Sequence, residues 1–201
     1  MMGRTNLDLQ RHIERVAGKL AAAANRHRHS RRRFGADHHG FRLGPPLPEA
    51  EVASFEHRHS VVLPADYRAF ITRIGHGGTG SDGNGAGPYY GLLPLDQWDA
   101  ALEQGSSETV LATPFPADPD HKYQDWWAEA GLDDDQEVFP GAIALADEGC
   151  GVLSLLVVTG TARGRVASTY WGETGPIFSP APGFLSWYEQ WLDGVLAGKH
   201  R

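Results

Sequence analysis

The histidines, the single cysteine and one acidic run are the residues of this sequence with the chemistry to build a reaction centre, and their spacing decides how far each can go. His27, His29, His38 and His39 offer imidazole ligands, but a metal site also needs cysteine or carboxylate partners at a defined spacing, and none accompanies them. Cys150 stands between Gly149 and Gly151. A thiol there is a nucleophile only beside an activating base, which the sequence does not locate, so the expectation is a small buried residue at a strand turn. Asp133, Asp134, Asp135 and Glu137 form a run and not a spaced acid and base pair, the usual pattern of a solvated loop. There is no Gly-x-Ser-x-Gly elbow, no His-Glu-x-x-His and no Cys-x-x-Cys, so hydrolase and metal chemistry lack a motif.

The glycines invite a phosphate-binding reading. Gly78, Gly80 and Gly83 satisfy G-x-G-x-x-G, but that fingerprint works only between a preceding strand and a following helix whose N-terminus holds the pyrophosphate, and here the helical pattern comes first. No Gly-Lys-Ser/Thr follows. Residues 77–82 also resemble one calcium β-roll repeat, yet a single copy cannot stack and Asn84 replaces the large apolar residue. As an EF-hand the segment puts Ala86 and Leu93 where oxygen ligands belong. A flexible surface loop is the expectation, with no cofactor and no metal.

The length of 201 residues, 41% of them apolar and six of them tryptophan, suits one domain with a real core plus an appendage. One cysteine excludes an internal disulfide and points to a reducing, cytoplasmic setting. Charge divides unevenly. Residues 1–50 hold ten Lys and Arg against four Asp and Glu, so 51–201 keep the other 8 of 18 basic and 21 of 25 acidic residues, a balance of −13 against +6. The acidic part disfavours nucleic acid or anionic membrane as its ligand and steers basic partners toward it. No segment approaches the roughly twenty apolar residues of a membrane span. Ser30-Arg31-Arg32-Arg33-Phe34 mimics a twin-arginine export signal, but the polar residues 36–40 follow it where an apolar stretch belongs.

Periodicity places the elements. Leu7, Leu9, Ile13, Val16 and Leu20 mark one face of a helix over 6–25, followed by a His/Arg-rich mobile linker to residue 46. Pro48 and Glu49 open a helix ending near His59. Leu63-Pro64 opens another, in which Tyr67, Phe70, Ile71 and Ile74 recur three and four apart until Gly75 stops it. Asp96 is placed to cap a short helix carrying Trp98, and residues 120–130, with Tyr123, Trp126 and Trp127, read as one more. Three apolar runs at 142–146, 152–158 and 165–171 are separated by about five residues each, which favours an antiparallel meander. Phe184, Leu185, Tyr188, Trp191, Leu192, Val195 and Leu196 form the stripe of a closing helix over 183–197. The fold class is α+β: a mainly antiparallel sheet of about four to six strands covered by helices, with a helical, basic appendage at 1–46 and the main domain at 47–198.

Leu63-Pro64-x-Asp66-Tyr67-x-x-Phe70 followed by Gly75-His76-Gly77-Gly78 resembles the signature of the SUKH superfamily, the domain of the Smi/Knr cell-wall-synthesis regulators and of many bacterial proteins. Residues 87–95, Gly149-Cys150-Gly151 and Phe184-Leu185-x-Trp187-Tyr188-x-x-Trp191-Leu192 are similar to its actinobacterial branch. The resemblance implies an α+β fold, no enzymatic activity, and in bacteria an immunity protein that neutralises a toxin. His76 departs from the asparagine usual before the paired glycines. On this reading the partner is a protein, such as a basic toxin domain. Asp133, Asp134, Asp135, Glu137, Asp147 and Glu148 then contribute an acidic docking surface anchored by Trp126 or Trp127. A regulatory scaffold for an endogenous partner and a small-ligand enzyme are the competing classes.

Overall fold

The computed structural model describes residues 2–27, 36–78, 83–99, 109–120, 139–169 and 176–199. Its sheet is a four-stranded antiparallel meander of β1 (Ala142–Gly149), β2 (Val152–Val157), β3 (Val166–Ser168) and β4 (Ile177–Phe178), in that spatial order. Short links between successive apolar runs leave no length for a parallel crossover, so each strand pairs with the next. The β1–β2 connection is a two-residue turn with φ +54° at Cys150 and +80° at Gly151. Positive φ at both positions gives a turn whose twist matches that of the flanking strands.

The period-two alternation of β1 and β2 divides two cores. Ile143, Leu145, Leu156 and Val158 face a large cluster built with the helices, whereas Ala142, Ala144, Leu153, Leu155 and Val157 face a smaller one closed by Phe115, Ala117 and Phe139. The outer edge of β1 is covered, too. Leu93 N donates to Leu145 O at 2.8 Å, Tyr90 N to Asp147 O at 3.2 Å and Ala144 N to Trp98 O at 3.1 Å. The segment that follows the glycines therefore bridges to β1 around Leu92, and it removes an exposed edge that would otherwise recruit other chains.

Helices α3 (Glu49–Arg58) and α4 (Ala65–Arg73) form the expected pair, with Pro48 and Pro64 at their N-caps. Arg68 on α4 ties them together, reaching Glu49 at 2.5 Å and Glu56 at 3.3 Å. The closing helix α5 (Phe184–Leu196) packs on α4 through rings: Tyr67 to Phe184 at 4.9 Å, Phe70 to Phe184 at 5.0 Å and Phe70 to Tyr188 at 4.8 Å, all edge to face. Each such pair adds about 0.5–1.5 kcal/mol beyond the area it buries. Gly183 at the N-cap of α5 has no side chain to offer its orphan amides. Asp66 takes that role from α4, its Oδ2 accepting Leu185 N at 3.1 Å while Oδ1 accepts Tyr67 N at 2.9 Å. A Cβ on Gly183 would lie 2.8 Å from Asp66 Oδ2, so the glycine makes room for the carboxylate.

Several expectations are corrected. Helix α1 spans Met2–His27 and packs against α5 and α4 through Ile13, Val16 and Ala23. Residues 28–35 of the expected linker lie outside the described residues, but 36–44 are not loosely solvated. They include the short helix α2 (Ala36–His39), buried Phe41, and Gly44 bridged to His76. The composition is polar, yet His39 folds inward to accept Phe41 N on Nδ1 at 3.0 Å. Asp96 does not cap a helix. Pro94 holds that position, and Asp96 is exposed within a 3-10 turn over Leu95–Gln97. Of the expected glycine loop, residues 79–82 lie outside the described residues, Gly78 is exposed and Gly83 half-buried, whereas Gly77 and the following Gly85, Gly87 and Gly91 are buried. A Cβ on Gly77 would lie 2.5 Å from Leu92 O, so these glycines let two backbones meet. The third strand is shorter than expected, residues 170–175 being outside the described set. Two-residue β4 carries too little alternation to be read from sequence.

The shared cap predicts a coupled pair of substitutions. Asp66→Ala lowers the unfolding free energy by about 1–2 kcal/mol, the value of an N-cap. Gly183→Ala displaces the same carboxylate, and denaturant melts of the double variant show a loss clearly smaller than the sum of the two singles.

Candidate functional site

The residues of the sequence signature converge, and what they build is an internal joint. Asp66 caps α5, and Tyr67 and Phe70 pack on it. Tyr188 is fully buried and its hydroxyl donates to Ala86 O at 2.8 Å, pinning the glycine segment. Burial alone pushes the phenols of Tyr67 and Tyr188 up, so both stay protonated and Tyr188 keeps the proton it donates. His76 is half-buried. Its backbone pairs with Gly44, and its ring Nδ1 lies 2.7 Å from Pro45 O, a hydrogen bond in which the ring N–H donates. The departure from asparagine therefore keeps a side chain able to fasten the segment before α3.

Beside this joint lies an open cleft of about 450 Å³. Four segments wall it: α2 with Phe41, the Pro88-Tyr89 turn, Ser179-Pro180 after β4, and Trp187, Gln190 and Trp191 from α5. Phe41 stacks on Trp191 at 5.7 Å and His39 meets the same indole edge-on at 6.1 Å. Tyr89 has φ +52° and is 43% exposed. A left-handed tyrosine costs energy, and strain of this kind clusters at sites that use it. The lining is aromatic with few charges, suited to receiving an apolar or aromatic group.

A second hollow, of about 500 Å³, opens between α3 and the 3-10 turn. Phe55, His59 and Trp98 are its buried aromatic residues, and Glu51, Asp96 and Arg58 supply charge at its rim. Phe55 and His59 lie 4.5 Å apart, and His59 and Trp98 meet edge-on at 5.3 Å.

On its other face, α5 carries the acids that hold α1. Glu189 binds Arg15 at 2.6 and 2.9 Å and Lys19 at 2.8 Å, and Lys19 also reaches Asp193 at 2.5 Å. Arg26 donates to Leu196 O. The Arg15 guanidinium holds the Glu189 carboxyl down from its ordinary 4.5 to about 2, with Lys19 adding to the effect and partial burial opposing it. Part of the N-terminal positive charge is thus spent on this seam.

Of the acids and tryptophans expected to form a docking surface, Asp133, Asp134, Asp135, Glu137, Trp126 and Trp127 lie outside the described residues. Asp147 and Glu148 are half-buried at the end of β1. Asp147 Oδ1 accepts Gly149 N at 2.7 Å and Glu148 Oε1 accepts Ser154 Oγ at 2.6 Å, so both shape the hairpin. Cys150 is exposed at its tip, contrary to the expected burial, because the tight turn leaves its apex outside the sheet. Among the described residues no group of three His, Cys, Asp or Glu is placed to hold a metal ion, and no helix is long and apolar enough to cross a membrane. Sequence reading missed both clefts. Their walls come from segments far apart in the chain, and only the Trp187/Trp191 spacing on α5 was a visible sign.

Comparison with family models matches residues 46–190 to the SMI1 / KNR4 family (SUKH-1). No curated protein and no solved structure matches the chain.

The Glu189 seam predicts an acid-dependent stability. Its folded-state pKa is depressed, so its contribution is complete above about pH 4.5 and is lost as pH falls toward 2. Arg15 is half exposed and solvent screens the pair, so the loss is about 1–2 kcal/mol. Melts across this range show Glu189→Gln less stable than the native chain at pH 6 and the gap closing at pH 2.

Proposed function

The chain belongs to the SMI1 / KNR4 family (SUKH-1), and from that premise we propose that it is a non-enzymatic protein-binding module of the immunity type, which neutralises a bacterial toxin by occluding it. The observation that carries this reading is the division of labour among its side chains. Asp66, Tyr67, Tyr188 and Glu189 are committed to joining helices, while two open clefts with aromatic linings are left for recognition. Aromatic residues in hollows are the usual anchors of a protein interface, because a buried ring gives large contact area at low entropic cost.

Electrostatics favours a basic partner. With 8 basic and 21 acidic residues, positions 51–201 attract a cationic surface, and nuclease clefts are cationic because they bind phosphate. Asp133, Asp134, Asp135, Glu137, Asp147 and Glu148 are proposed to contribute to that field, with Trp126 or Trp127 as an anchor. Occlusion needs only shape and charge held in place, and no bond is made or broken.

The reading predicts that a toxin domain is encoded beside this gene, and the test uses that domain. Co-expression restores growth to cells making that toxin, and the purified pair associates at a rate that falls as salt is raised from 50 to 500 mM. Absence of both rescue and binding, or turnover of a metabolite by the purified chain, overturns the reading.

A further inference from the structure

We propose that the hollow between α3 and the 3-10 turn is an arginine-accepting slot, which takes a guanidinium from the protein partner. The inference rests on the protein-binding reading above and names the side chain it recognises. Acids on the neighbouring elements are already committed: Glu49 and Glu56 to Arg68, Asp66 to the α5 cap, Glu189 and Asp193 to α1. Glu51 and Asp96 are different. Both are exposed, stand on opposite walls of the hollow, and have no ion pair among the described residues.

Between them the hollow is lined with rings. Phe55, His59 and Trp98 line it, with Trp98 only 5% exposed. A planar cation fits such a space better than a compact one. Guanidinium stacks on aromatic faces, is weakly hydrated, and offers donors in more than one direction, so it can lie on the indole while reaching carboxylates on both sides. An ammonium is more strongly hydrated and has no plane to stack. Arg58 also lines the rim. It is exposed and, among the described residues, forms no ion pair with either acid, so the two carboxylates outweigh it and the lining keeps a negative balance. The broader acidity of 51–201 points the same way.

The slot is tested without the toxin by titrating N-acetyl-argininamide into the full chain and following the Trp98 indole N–H resonance. The expected result is a saturable shift, at least threefold weaker with N-acetyl-lysinamide and abolished in the Glu51→Gln/Asp96→Asn variant, whose melt stays native-like because neither acid's side chain makes a hydrogen bond or ion pair among the described residues. An unmoved indole, or an equal shift in the variant, overturns the slot. In a second arm the same variant binds the toxin domain predicted above at least tenfold more weakly than the native chain. Unchanged toxin affinity overturns the slot while leaving protein binding intact. Failure of the native chain to bind the toxin strikes the functional reading alone, since the indole titration still decides whether the slot exists.

Discussion

The architecture depends on one junction: the edge-to-face packing of Tyr67 and Phe70 on Phe184 and Tyr188, locked by the Asp66 carboxylate on the first turn of α5. Each half requires the other. The rings bring α4 close enough for Asp66 to reach amides that Gly183 cannot satisfy, and the cap holds α5 at the angle where its rings interdigitate. Tyr188 then passes the constraint onward through its bond to Ala86 O, which fixes the glycine segment lying along β1.

The junction orients two surfaces of α5. Trp187 and Trp191 look into the first cleft, while Glu189 and Asp193 engage α1. Part of the positive charge of residues 1–50, that of Arg15 and Lys19, accordingly balances the acids of the closing helix. Glycine serves the same tight construction. At Gly77 and Gly183 the missing Cβ lets a backbone or a carboxylate approach to distances a side chain would forbid.

Elements with strong periodicity were legible in the sequence. The α5 stripe, the Leu63-Pro64 helix and the meander are local patterns whose reading needs no partner, and all three appear where periodicity places them. What stayed hidden is what long-range contact decides. Asp66 reads as an acid in its own helix's first turn, and nothing nearby reveals that its second oxygen caps a helix 119 positions on. Polar residues 36–44 read as linker because the space they fill is made by α5. Cys150 reads as buried beside apolar strands, but a two-residue turn puts it outside them. Glu51 and Asp96 lie on elements that meet only in the folded chain, so no spacing rule joins them.

The central claim is that the signature residues work inward and recognition takes place at the clefts. Hydrogen exchange on the native chain, free and bound to the toxin domain that the proposed function predicts as its partner, addresses this most directly. The account predicts added protection in residues 50–59 and 95–99, with exchange at the Tyr67, Phe70 and Tyr188 junction unchanged. Protection confined to that junction, with the hollow exchanging as in the free chain, contradicts it.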